Sequence, residues 1–193
     1  MALLIAGLVL LLGTHSIPMS PALKQSLVAR FGERSYKIAF WSLSGIGLLL
    51  IVIGYGQFRG SSQDVQLWLP ATWSRDVAYA LMLPAFILFI ATFAPSHIGK
   101  VVGGHPLLCG VILWAMTHII ANGHLAGVFL FGAFLIWAII DLISAIQRGA
   151  FGPLGSKPGT LKGDIIVVAG GCAVYAIMLV WAHRWITGVP LLG

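Results

Sequence analysis

Histidines are the residues of this sequence whose type and spacing point most directly to chemistry. The segment from 105 to 124 reads HPLLCGVILWAMTHIIANGH, an apolar stretch of helix length with a histidine at each end and a third, His118, inside it. If such a helix crosses a membrane, an ionisable side chain at that depth is costly and normally faces a bundle interior, a cavity or a bound group. We therefore expect His118 to belong to a binding site.

Two residues that precede His118 could form a surface for a flat ligand. Trp114 lies four residues earlier and Gly110 eight residues earlier, a spacing that places all three residues on one face of a helix. Trp114 would supply a flat aromatic ring, and Gly110 would supply backbone that no side chain covers. We interpret both as candidate cofactor-binding residues.

His15 is the second histidine placed deep in an apolar run, the run from 2 to 19. It stands three residues before Pro18, and a proline removes a helical hydrogen bond, so a kink or an early helix end is expected there. His15 could mark the membrane interface or serve as a ligand. The sequence leaves both interpretations open.

Neutral imidazole binds iron, copper or zinc, and axial imidazoles commonly hold haem iron between helices. Zinc is disfavoured because a closed zinc site needs four ligands and the sequence has no cluster of Cys, Asp or Glu beside these histidines. A histidine pair among Gly, Trp, Leu and Phe suits haem b, and without a C-x-x-C-H motif the haem would not be covalently attached. His15 with His118 is the preferred ligand pair; His15 with His105, or His118 with His183, are the alternatives.

Asp141, in the segment WAIIDLIS, is the acidic residue most clearly inside an apolar segment. A buried carboxylate needs a partner, and ligating histidines usually donate their other N–H to a carboxylate or a carbonyl. Asp141 could therefore orient His15 or His105. The alternative is a position near the membrane surface, where it would reach water or Arg148.

The composition predicts an integral membrane protein of the all-α class. Hydrophobic residues make up 59% of the 193 residues and charged residues 8%, and the mean hydropathy is +1.00. A soluble domain of this size would lack the polar surface to stay dissolved. We predict a polytopic transmembrane helix bundle of about six spans, formed by a single domain, residues 1–193. The predicted spans are 2–19, 36–56, 76–96, 106–121, 124–148 and 164–187, with a surface helix within 20–35.

The positive charges are distributed unevenly between the two sides that six spans would create. One side receives eight Lys and Arg residues and the other receives three. Because positive charge is retained on the cytoplasmic side during insertion, both termini should lie outside, in the periplasm if the membrane is a bacterial inner membrane. This asymmetry accounts for the net charge of +6, so no nucleic-acid partner is needed to explain it.

The sequence resembles the NnrU family of bacterial membrane proteins over essentially its whole length. The motifs that carry the resemblance are H-S at 15–16, R-F-G-E-R at 30–34, H-P at 105–106, and W-x-x-x-H followed by N-G at 114–123. The family name implies a link to denitrification, as a membrane accessory factor for production of nitrite and nitric oxide reductases. More distantly, the chain is similar to zeta-carotene isomerase, a haem b enzyme in which reduction releases one of two axial histidines and ferrous iron assists cis–trans rotation of a polyene.

The resemblance to the isomerase implies roles for particular residues. Its axial histidines match His15 and His118, and the histidine of its H-P motif matches His105. The chain departs from the pattern at Ala115, where the isomerase has a cysteine, and near Trp137 and Gln57, where histidines are expected. The implied partners are membrane lipid and an apolar polyene or lipid-like substrate, and the Gly-rich faces of the second and sixth spans leave open whether the protein is a homo-oligomer.

Overall fold

In the computed structural model, which describes residues 1–192, the secondary structure is helical apart from one isolated backbone bridge between Gln66 and His124. This confirms the all-α prediction. The helices are α1 (Ala2–Ser16), extended by a 3-10 turn (Ile17–Met19), α2 (Pro21–Phe31), α3 (Glu33–Arg59), α4 (Ser74–Ala91), α5 (His97–Val101), α6 (Pro106–Ala121), α7 (Leu125–Gln147), and α8 (Leu161–Ile177), which continues through a π-helical turn (Met178–Ala182) into α9 (His183–Thr187).

Five stretches of helix are long and apolar enough to cross a membrane: α1 with its 3-10 turn, α3, α4, α7, and α8 with its continuation. The protein is therefore a multi-pass membrane protein. The fourth predicted span, 106–121, corresponds to α6, which is apolar but has only 16 residues. At about 1.5 Å per residue it is roughly 24 Å long, less than the roughly 30 Å of a hydrocarbon core.

The ends of α1 and α2 follow from their sequences. α1 gives way to the 3-10 turn that contains Pro18, as predicted from the missing proline N–H. Ser20 then caps α2, since its side chain accepts a hydrogen bond from the Leu23 N–H and Pro21 occupies the first helical position. Gly32 separates α2 from α3 with a φ of 81°, a conformation that favours glycine. The predicted helix within 20–35 is thus confirmed as α2, and its position at the membrane surface stays a prediction.

The contacts within the chain form two compact units, which are described separately. Unit 1 contains residues 1–70 and 122–144, and unit 2 contains residues 71–121 and those from 145 onward. The expected organisation as a single domain stays a prediction.

Unit 1 is built on close packing of α1 against α3. A Cβ added at Gly7 would lie 2.6 Å from the Ile51 nitrogen, and one at Gly54 would overlap the backbone of Leu4. Small residues permit such approach, which supplies the packing contacts that hold helices together in lipid. Two other glycines of α3 differ in their surroundings: Gly47 packs against Leu11 of α1, whereas a Cβ at Gly45 would meet no atom within 4 Å in residues 1–192.

Unit 2 is built around α4, which packs against both α6 and α8. On the α6 side, a Cβ at Gly110 would lie 2.8 Å from the Phe89 ring and 3.2 Å from the Ala85 carbonyl oxygen. On the α8 side, a Cβ at Gly171 would lie 2.6 Å from the Ile87 side chain. Glycines on two helices thus let α4 approach both neighbours closely.

Candidate functional site

The imidazole of His15 has a defined proton position. Its Nδ1 lies 2.9 Å from the carbonyl oxygen of Leu11, one helical turn earlier in α1. Because a carbonyl oxygen can only accept a hydrogen bond, Nδ1 carries the proton and the imidazole lone pair lies on Nε2. This is the tautomer that a metal-ligating histidine uses when its other nitrogen is held by a carbonyl.

Aromatic side chains from two other helices of unit 1 contact the His15 ring. The Phe40 ring of α3 lies 5.0 Å from it between centroids, at an interplanar angle of 53°, and the Trp137 ring of α7 lies 6.2 Å away, edge-on at 86°. The Trp137 indole N–H donates to Ser16 Oγ at 3.1 Å. Residues from three helices therefore fix the surroundings of His15, and a hydrogen bond ties Trp137 to α1.

Asp141 lies on α7 one turn beyond Trp137 and is half-buried. Residues four apart share a helix face, so Asp141 follows Trp137 along the side of α7 that faces α1. The hydrogen bond expected between Asp141 and a ligating histidine stays a prediction.

His118 repeats the local geometry of His15 in unit 2. Its Nδ1 lies 2.8 Å from the carbonyl oxygen of Trp114, so this nitrogen also carries the proton and the lone pair lies on Nε2. The Trp114 ring lies 5.3 Å from the imidazole at 50°. The structure thus brings Trp114 and His118 together, whereas Gly110, on the same predicted face, is covered by Phe89 of α4.

Two further histidines of unit 2 were considered as alternative ligands. His105 is 6% exposed and stacks on Phe151 at 6.3 Å and 17°. The Nδ1 of His183 lies 2.8 Å from the Val189 carbonyl oxygen. His118 and His183 both belong to unit 2, so this alternative pair lies within one unit.

A buried carboxylate in unit 1, Asp64, was not identified from the sequence. Its side chain is 1% exposed, and one oxygen accepts a hydrogen bond from Arg59 at 2.9 Å. The other oxygen accepts the Ala126 N–H at 2.8 Å, which caps the first turn of α7, and His124 Nδ1 lies 3.4 Å from Asp64. The proximity of Arg59 and Asp64 in sequence was a readable signal. The contact between Asp64 and α7 could not be read from the sequence, because 62 residues separate Asp64 from Ala126.

Asp164 in unit 2 forms a comparable interaction near the start of α8. It accepts hydrogen bonds from the His97 N–H and from His97 Nδ1, each at 2.7 Å, and from the Ile98 N–H at 3.2 Å. The interaction joins α8 to the short helix α5. It gives His97 a structural role that the sequence did not indicate.

A family model described as NnrU protein matches residues 3–191, nearly the whole chain, which confirms the resemblance found in the sequence motifs. No curated protein and no solved structure matches the chain.

Proposed function

We propose, from the premise that this chain belongs to the NnrU family, that it is a membrane protein that binds haem b through two axial histidines, His15 and His118. The alternative is a non-enzymatic membrane accessory factor for nitrite and nitric oxide reductase production. With α6 counted as a sixth span, the positive-charge asymmetry favours both termini on the non-cytoplasmic side, which in a bacterial inner membrane is the periplasm.

The observation that carries the haem proposal is the shared geometry of the two histidines. Each donates its Nδ1–H to the carbonyl four residues earlier, at 2.9 Å from Leu11 and 2.8 Å from Trp114. Such a bond fixes the ring orientation and raises the basicity of Nε2, which is how proteins prepare an imidazole to bind a metal. The donor set therefore fits haem iron, whose axial positions accept neutral imidazole nitrogen.

The aromatic residues around the two histidines suit the rest of the cofactor. Phe40 and Trp137 border His15, and Trp114 borders His118. These side chains would pack against an apolar macrocycle and exclude water. Asp141 would act on His15 through its negative charge, which stabilises positive charge on the imidazole, because the Nδ1–H of His15 already donates to the Leu11 carbonyl.

Bound haem would supply a redox-active iron at which reduction can free a coordination position. This chemistry suits redox-gated cis–trans isomerisation of an apolar polyene drawn from the membrane, the reaction that the distant resemblance to zeta-carotene isomerase implies. In the chain itself, His15 and His118 would hold and orient the cofactor. The catalytic residues of such a reaction are unknown.

The test is the absorption spectrum of the purified protein, oxidised and after reduction with dithionite. We expect a Soret band that is lost in His15→Ala and in His118→Ala and kept in the control His124→Ala. If the band survives His15→Ala and disappears in His183→Ala, His118 and His183 are the ligands instead. Colourless protein that gains no spectrum when hemin is added would overturn haem binding and favour the accessory-factor alternative.

A further inference from the structure

We propose that the corner between α2 and α3 binds the headgroup of an anionic phospholipid. The site is a groove along the first turns of α3, and it combines charged and apolar side chains over three helical turns. It is independent of the histidines and of any cofactor. The groove is lined by Glu33, Arg34, Lys37, Ile38, Trp41 and Ser42.

The charge at this corner favours an anion. Residues 20–41 contain four basic side chains and one acidic side chain, a net charge of +3 at pH 7. Arg34 and Lys37 line the groove itself. A guanidinium and an ammonium three residues apart lie on one helix face, and together they can bind the oxygens of a phosphodiester. The basic residues are Lys24, Arg30, Arg34 and Lys37.

The other half of the groove is apolar and open. Ile38 is 58% exposed and Trp41 is 71% exposed. Both lie in α3, a helix that is long and apolar enough to cross a membrane. Tryptophan is enriched at the headgroup level of membranes because its ring is amphipathic. A phospholipid whose phosphate binds Arg34 and Lys37 would therefore have its acyl chains beside Ile38 and Trp41. Free inorganic phosphate has no acyl chains and would make no contact with these two side chains.

The neighbouring helix α2 has the features of a helix that lies in the membrane interface. Its apolar residues Leu23 and Phe31 are 47% and 56% exposed, and the guanidinium of Arg30 lies 5.3 Å from the centre of the Phe31 ring. Exposed apolar side chains beside basic ones are typical of helices bound to anionic membrane surfaces. This places the groove at the depth of the lipid phosphates.

Glu33 limits the strength of the site. Its carboxylate forms an ion pair with Lys37 at 2.6 Å, so Lys37 is shared between Glu33 and the lipid phosphate. Replacing Glu33 with Gln would free Lys37 and should strengthen binding of an anionic lipid. Damage to the fold is expected to weaken a specific site, so a selective gain for the anionic lipid distinguishes the two effects.

The experiment is native mass spectrometry of the full-length protein in detergent, titrated with phosphatidylglycerol or with phosphatidylcholine of the same chains. We expect the wild type to retain phosphatidylglycerol preferentially. The double variant R34Q/K37Q should weaken that binding about 30-fold, as two charges at about 1 kcal/mol each imply. The control K157Q/K162Q removes two other positive charges and should bind as wild type, whereas E33Q should bind more tightly.

Three results would overturn the proposal: equal retention of the two lipids, equal loss in both double variants, or displacement of the lipid by inorganic phosphate. If R34Q/K37Q does not fold, Trp41 provides a second measurement. Brominated phosphatidylglycerol should quench tryptophan fluorescence more than brominated phosphatidylcholine does. That difference should disappear in Trp41→Phe, and its persistence would contradict the site.

Discussion

The surroundings of His15 and His118 differ although their local geometry is the same. Both imidazoles donate Nδ1–H to a carbonyl one turn earlier. The aromatic neighbours of His15, however, come from α3 and α7, whereas Trp114 belongs to the same helix as His118. The environment of His15 therefore depends on the tertiary packing of unit 1, and the contact between Trp114 and His118 needs only a formed helix.

This difference predicts which substitutions should reach each histidine. Changes in the α1–α3 contact, or in the residues that hold α7, should disturb the environment of His15. They should have less effect on the contact between Trp114 and His118, which the backbone of α6 supplies.

The largest effect is expected from Gly54→Ala in unit 1. The new methyl group would overlap the backbone of Leu4, and helices so closely packed must move apart, at a cost of about 1–3 kcal/mol or more. Hydrogen–deuterium exchange should increase in α1 and α3 and change less in α6. Gly45→Ala is the matched control, since its methyl group would meet no atom within 4 Å in residues 1–192. Equal stability of the two variants would contradict the packing argument.

A smaller effect is expected from Asp64→Asn, which keeps the side-chain shape and removes its charge. The Arg59 guanidinium would lose its ion pair, and the Ala126 N–H would lose a charged acceptor. Together these changes should cost about 2 kcal/mol, with faster hydrogen exchange at the first turn of α7. Asp76→Asn is the control because Asp76 is exposed in the first turn of α4. If exchange in α7 is unchanged, Asp64 does not anchor that helix.

These contacts also show what the sequence could reveal. The helices and the neighbouring positions of Trp114 and His118 follow from apolar runs, prolines and helical spacing, which are local properties. The contacts of His15 and Asp64 with α7 could not be inferred in this way. Trp137 lies 121 residues from Ser16 and Ala126 lies 62 residues from Asp64, and spacing along one helix carries no information about such contacts. Gly110 illustrates the same limit, since only the structure shows Phe89 against it.

The smallest and most specific effects are expected when the two tryptophans that contact the histidines are replaced. These predictions rest on the proposed haem binding. Trp137→Leu removes an edge-on ring from His15 and the hydrogen bond to Ser16, so the imidazole loses a contact that other helices provide. Trp114→Leu removes a ring but keeps the backbone carbonyl that accepts the His118 proton. We expect hemin affinity to fall about tenfold in Trp137→Leu, as for groups that orient a metal ligand, and less in Trp114→Leu. Hemin titration followed at the Soret band measures both, and an equal or larger loss in Trp114→Leu would contradict this ranking of the two tryptophans.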